Sequence, residues 1–122
     1  MADITTIADQ FVAFYYQQFD QDRNGLGPLY RPTSMLSFEG NQTLGAANIV
    51  EKLVSLPLGA LRHQVATKDA QPADNGILIL VSGQLLAGDE TNPQFFTQTF
   101  LLKSDAGSYY IQNDVFRLVY GL

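Results

Sequence analysis

The side chains able to do chemistry in this chain of 122 residues are few: one histidine, no cysteine and twelve carboxylates. His63 falls on the strand face shared by Leu61 and Val65, which sets an imidazole among apolar neighbours. Burial and a nearby carboxylate move an imidazole's pKa in opposite directions, so His63 and Asp114 are the candidate acid–base pair. The competing reading is a hydrogen-bonded core histidine. It is favoured because that face, as read from the residues, offers no second carboxylate or tyrosine to complete a catalytic set. Glu39 ends a short strand beside a turn, and Asp89 and Glu90 sit in the polar loop Gly88-Asp89-Glu90-Thr91-Asn92-Pro93. By residue type alone these three are solvated turn carboxylates.

A metal loop can be tested and rejected. Asp20, Asp22, Asn24 and Gly25 match positions one, three, five and six of an EF-hand calcium loop. Position twelve, which must chelate through Glu, is Arg31, and Gly27-Pro28 interrupts the helix that should follow. The stretch reads as a helix end and turn, and neither metal nor cofactor is expected. The absence of cysteine removes a thiolate nucleophile and any disulfide framework, and agrees with a reducing compartment. Asn41-Gln42-Thr43 fits a glycosylation sequon, but nothing in the sequence predicts a secretory route to use it.

The balance of charge narrows the partners. A net charge of -5, with no two of the seven basic residues adjacent, repels phosphate backbones, so nucleic acid is not an expected partner. Met1-Ala2-Asp3 opens acidic without an apolar signal region, and the longest aliphatic run, Ile77 to Val81, is too short to span a bilayer. A place in the cytosol or nucleus follows as the expectation. With 46% apolar and 16% charged residues the chain can pack an interior and has little charge left for its surface. Either a patch is covered by a second subunit or the chain is a charge-poor monomer.

These residues must be held by a fold, and the periodicities predict one. Ile4, Ile7, Ala8, Phe11, Phe14, Tyr15 and Phe19 recur at helical spacing, Thr6 and Asp9 suit a capping box, and Gly25 with Gly27-Pro28 ends the pattern. Met35 to Glu39 alternates as a strand, Gly40-Asn41 turns, and Ile49, Val50, Leu53, Val54 and Leu56 make the stripe of a second helix that Pro57 stops. Four long strands follow over Leu61 to Ala70, Ile77 to Leu86, Gln94 to Lys103 and Tyr109 to Tyr120, with Asn75-Gly76 as a hairpin turn and Gly83 as a candidate bulge or close-packing point. Helices preceding a β-meander argue an α+β fold, a strongly curved, cone-shaped antiparallel sheet with about three helices on its concave side. No linker or repeat divides it, so residues 1–122 read as one domain.

Six ordered blocks carry a resemblance: Phe14-Tyr15-Tyr16, Phe19-Asp20-Gln21-Asp22-Arg23, Ser37-Phe38-Glu39-Gly40, Asn48 to Pro57, Asp69-Ala70-Gln71-Pro72 and Asn113 to Leu118. In residue type and spacing, over nearly the whole chain, they resemble the nuclear transport factor 2 family of cystatin-like rolls. The resemblance implies a homodimeric carrier without chemistry. It would bind the GDP-bound GTPase Ran and phenylalanine-glycine repeats of nucleoporins, and would work in cytoplasm and nucleus, concentrated at the nuclear pore. By family position, Glu39, Asp89 and Glu90 form an acidic rim for Ran, and Phe38, Leu56, Leu61, Val115 and Phe116 line the apolar cavity behind it. Ile4 takes the place of an aromatic that holds repeat phenylalanines. An aliphatic there gives up ring stacking worth roughly 0.5 to 1.5 kcal/mol, so weaker repeat binding is expected. Related folds support isomerases and dehydratases, which keeps a cavity enzyme using His63 and Asp114, or a dimeric scaffold, as the alternatives.

Overall fold

The aromatic stripe of the first segment forms helix α1 (Ile4–Gln21) in a computed structural model that describes residues 3–57, 61–87 and 93–120. Its cap is Asp3, whose carboxylate accepts the Thr5 N–H at 3.1 Å, and not the Thr6–Asp9 box. The cap falls earlier because Ile4 already belongs to the first turn and packs against the core. Ala8, Val12, Tyr15, Tyr16 and Phe19 face inward, while Phe14 is 49% exposed and lies off the stripe. A 3-10 helix at Arg23–Leu29 follows, its first turn capped by Asp22, and so consumes one of the oxygens of the rejected calcium loop.

Strand β1 (Tyr30–Phe38) turns at Glu39-Gly40 into β2 (Asn41–Leu44), and α2 (Ala46–Ser55) ends against Leu56 as Pro57 requires. The long strands are β3 (Leu61–Ala73), β4 (Gly76–Ala87), β5 (Gln94–Asp105) and β6 (Ser108–Val119). They join in a six-stranded sheet of order β2-β1-β6-β5-β4-β3, open between its two edges. The expected all-antiparallel sheet is corrected at one place. β1 and β6 run parallel, because the intervening elements rather than a hairpin turn set their relative direction.

The Asn75-Gly76 signal shifts by one residue, and of the two readings of Gly83 the close-packing one holds. The β3–β4 hairpin turns on Asp74-Asn75, with Asn75 in the left-handed region (φ 57°) and Gly76 already paired with Ala73. Gly76 is needed for closeness: a Cβ there would lie 1.9 Å from the Leu102 carbonyl oxygen. The bulge sits on β3, where the register slips between Val65 and Thr67 opposite Gly83 and Ser82. A Cβ on Gly83 would meet the Gln64 carbonyl oxygen at 2.2 Å, so the glycine permits the bulged strand to approach.

One continuous core results. Val12, Tyr15 and Phe19 of α1, Ile49 and Leu53 of α2, Ile79 and Val81 of β4, Phe96, Phe100 and Leu102 of β5 and Ile111 and Phe116 of β6 all belong to it. Alternation along β4 and β6 sends Leu78, Leu80 and Val115 to the other face, where they are 40, 47 and 46% exposed.

Candidate functional site

The turn after β1 brings a carboxylate and an aromatic pair together. The rings of Phe38 and Phe116 stack at 4.7 Å between centroids and 3° between planes, as neighbours on β1 and β6 in register. Glu39 follows Phe38 in a left-handed conformation (φ 52°) and its N–H donates to the Phe116 carbonyl at 3.1 Å. Its carboxylate accepts the Leu118 N–H and, at 2.9 Å, the Tyr120 hydroxyl.

From this turn an aromatic run continues across the helix-facing side of the sheet. Phe96 lies 5.6 Å from Phe116, His63 lies 5.5 Å from Phe96, and Tyr16 stacks on His63 at 4.4 Å. Phe19 closes on His63 edge-on at 4.9 Å, with the Arg23 guanidinium 5.5 Å from its ring. Rings from β1, β6, β5, β3 and α1 meet because strand alternation and the i, i+3 spacing of Tyr16 and Phe19 point them to one place.

His63 and Asp114 are not partners, which removes the candidate acid–base pair and leaves the favoured reading of a hydrogen-bonded core histidine. The His63 side chain is 2% exposed and its Nδ1 lies 2.7 Å from Asp20 Oδ1, while its backbone N–H donates to Asp20 Oδ2 at 2.9 Å. A carboxylate only accepts, so Nδ1 is the ring nitrogen that donates in this pair. Asp20 fills this role because it follows Tyr16 by four residues and so shares its side of α1.

Asp114 is fully buried elsewhere in the core. Its Oδ2 accepts from the Tyr30 hydroxyl at 2.8 Å and the Tyr15 hydroxyl at 3.3 Å, and the two hydroxyls are 3.0 Å apart. Its Oδ1 accepts from Gln98 Nε2 at 2.7 Å, and Gln98 Oε1 accepts from the Tyr16 hydroxyl at 2.7 Å. Burial lifts the Asp114 carboxyl to about 6, against the pull of Gln98, Tyr30 and Tyr15. Burial first, and the Asp114 charge second, push the Tyr15, Tyr16 and Tyr30 hydroxyls well above their ordinary range. Sequence reasoning missed this cluster. Its signal was a polar residue, Gln98, in the inward row Phe96, Gln98, Phe100, Leu102 of an alternating strand.

The remaining expected positions divide. Leu56 is half-buried against the core, with its carbonyl accepting from Arg23 at 3.2 Å, and Leu61 is buried at the start of β3. Val115 is a correction. Between buried Asp114 and Phe116 the period of two turns it to the opposite face, so it cannot line a cavity under the helices. Ile4 is half-buried at the start of α1. Asp89 and Glu90 lie outside the described residues. Among the described residues no cluster of three or more His, Cys, Asp or Glu is placed to hold a metal ion, and no helix is long and apolar enough to cross a membrane.

Comparison with known proteins agrees with this architecture. The model of the nuclear transport factor 2 (NTF2) domain matches residues 7–118. The chain is 58% identical to nuclear transport factor 2 of Emericella nidulans over 123 aligned residues, 98% of each protein, and 54% identical to that of Saccharomyces cerevisiae over 120, 97% of this chain and 96% of the relative. The solved structure of nuclear transport factor 2 from Cryptosporidium parvum superposes with a TM-score of 0.89 at 41% identity, covering 95% of this chain and 94% of that one.

Proposed function

Since this chain belongs to the nuclear transport factor 2 family, and is a carrier in nucleocytoplasmic transport rather than an enzyme, we propose that its cargo is GDP-bound Ran and its route the phenylalanine-glycine repeats of the nuclear pore. The observation that carries this reading is the adjacency of the Glu39 carboxylate to the Phe38–Phe116 stack. A carboxylate beside an aromatic wall gives an incoming protein loop both a charge to orient it and an apolar surface to hold it. Rim charge sets register and association rate, and burial of an inserted apolar side chain supplies most of the affinity. Leu56 and Leu61 extend the apolar wall, and by family position Asp89 and Glu90 share with Glu39 the role of meeting basic side chains of Ran.

Selectivity for GDP then lies with the GTPase. Its switch loops take different arrangements with GDP and GTP, and a rigid receptor shaped for one rejects the other by losing insertion and ion pairing together. The aromatic run that starts at Phe38 and Phe116 packs the core behind the Glu39 turn and supports such rigidity.

The carrier works as a homodimer through the outer sheet face. Leu80, Thr99 and Val115 lie in register across β4, β5 and β6, and Leu78 and Leu101 form the next row. Exposed leucines of β4 and a valine of β6, at 40 to 47% on either side of β5, make the kind of patch that a second subunit covers. Ile4 at the start of α1 contributes an aliphatic contact to repeat phenylalanines, and a weak one, which suits a carrier that must let go. The dimer concentrates at the nuclear pore through these contacts.

A pull-down with GDP-loaded and GTP-loaded Ran tests the reading. Recovery of the GDP form alone is expected, and equal recovery of both, or recovery of neither, overturns it.

A further inference from the structure

The Glu39 carboxylate is fixed before any partner arrives. One oxygen accepts the Leu118 N–H, the other accepts the Tyr120 hydroxyl at 2.9 Å, and the turn backbone is left-handed at Glu39 itself (φ 52°) and at Gly40 after it (φ 86°). Each carboxylate oxygen has two lone pairs, so this arrangement leaves one on each oxygen for an outside cation. The Leu118 donor comes with the sheet backbone. The Tyr120 donor comes from a residue just beyond the end of β6 that is 65% exposed, so burial does not explain its place.

Resting on the reading of Glu39 as the acidic rim, we propose that Tyr120 is a positioning residue: its hydroxyl holds the Glu39 carboxylate in the orientation that meets a basic side chain of the GTPase. Glutamate has three rotatable bonds, and freezing them only at the moment of association lowers affinity about three- to tenfold. A second donor on the carboxylate removes that loss. The same hydrogen bond raises the Tyr120 phenol above its ordinary range, with desolvation and the Glu39 charge acting in the same direction and the Arg117 charge opposing them.

The test uses the full chain as Tyr120→Phe, Glu39→Gln and the double variant, with GDP-loaded Ran titrated by calorimetry and tyrosine 13Cζ shifts followed against pH without partner. Expected are a roughly three- to tenfold weaker affinity for Tyr120→Phe with an unchanged melting temperature, and no further loss when Tyr120→Phe is added to Glu39→Gln. One tyrosine titration moves to lower pH in Glu39→Gln. An equal loss from Tyr120→Phe in both backgrounds overturns the proposal, because Tyr120 then touches the partner itself. Loss from Glu39→Gln with none from Tyr120→Phe overturns it while the rim reading stands. No loss from Glu39→Gln overturns both, and the unpartnered titration then tells whether the Tyr120 bond forms in solution at all.

Discussion

Replacing Asp114 by asparagine removes one charge from the interior while keeping the shape of the side chain. The hydrogen bonds can be rewired in equal number, although the Tyr16 O–H gives up its acceptor on Gln98. In Asp114→Asn the amide oxygen accepts from Tyr30 and Tyr15 as the carboxylate does. A Gln98 amide turned by half a revolution then accepts from the new amide nitrogen and donates to the Tyr16 hydroxyl, which is free to accept. What changes is the titration. Asp114 has a folded value of about 6 against an ordinary 3.8, so between those limits the native state holds a proton that the unfolded chain has released. The sign follows: the raised folded value makes the native protein most favoured below pH 3.8, and the Asp114 contribution falls as pH rises through 6. The separation corresponds to roughly 3 kcal/mol, fully expressed at about pH 7. Urea unfolding of both proteins at matched concentration, at pH steps from about 3.5 to 7.5, isolates this contribution because the other carboxylates are shared. The stability of the natural chain minus that of Asp114→Asn is expected to fall by about 3 kcal/mol across the range. Parallel curves would refute the assignment of a desolvated, titrating carboxylate to this site.

Two further outcomes follow from the sheet. Val115→Lys puts an ammonium on the outer face twice in a symmetric dimer, and at roughly 1.4 kcal/mol per copy should raise the dissociation constant about a hundredfold in sedimentation equilibrium, with the monomer still folded by circular dichroism. An unchanged dimer removes this face from the interface. Gly83→Ala places a methyl 2.2 Å from the Gln64 carbonyl oxygen, where backbone must move, and should destabilise the chain by about 1 to 3 kcal/mol in urea. A neutral effect would mean that the β3 bulge relaxes freely.

Much of the fold was legible in the residues because its signals are local. The aromatic stripe of α1 depends on a 3.6-residue period, the end of α2 on a proline, and the four long strands on alternation between turns. Glu39 beside Phe38 was likewise visible as a strand end meeting a turn. The pairing of the site was not. His63 lies 43 residues from Asp20 and Asp114 lies 84 residues from Tyr30, and no local pattern distinguishes one distant carboxylate from another.

Composition and pattern along the chain are enough for an acidic, cysteine-free α+β protein with helices ahead of a meander and, through ordered blocks, for its family. Packing in three dimensions was needed to establish that β1 runs parallel to β6, that Val115 faces outward, that His63 binds Asp20, and that Asp114 lies buried with Tyr15, Tyr30 and Gln98, Tyr16 closing the network through Gln98. The division has a physical reason. Period and turn chemistry act between neighbours along the chain, whereas a buried carboxylate takes whichever donors the packed layers bring within about 3 Å of it.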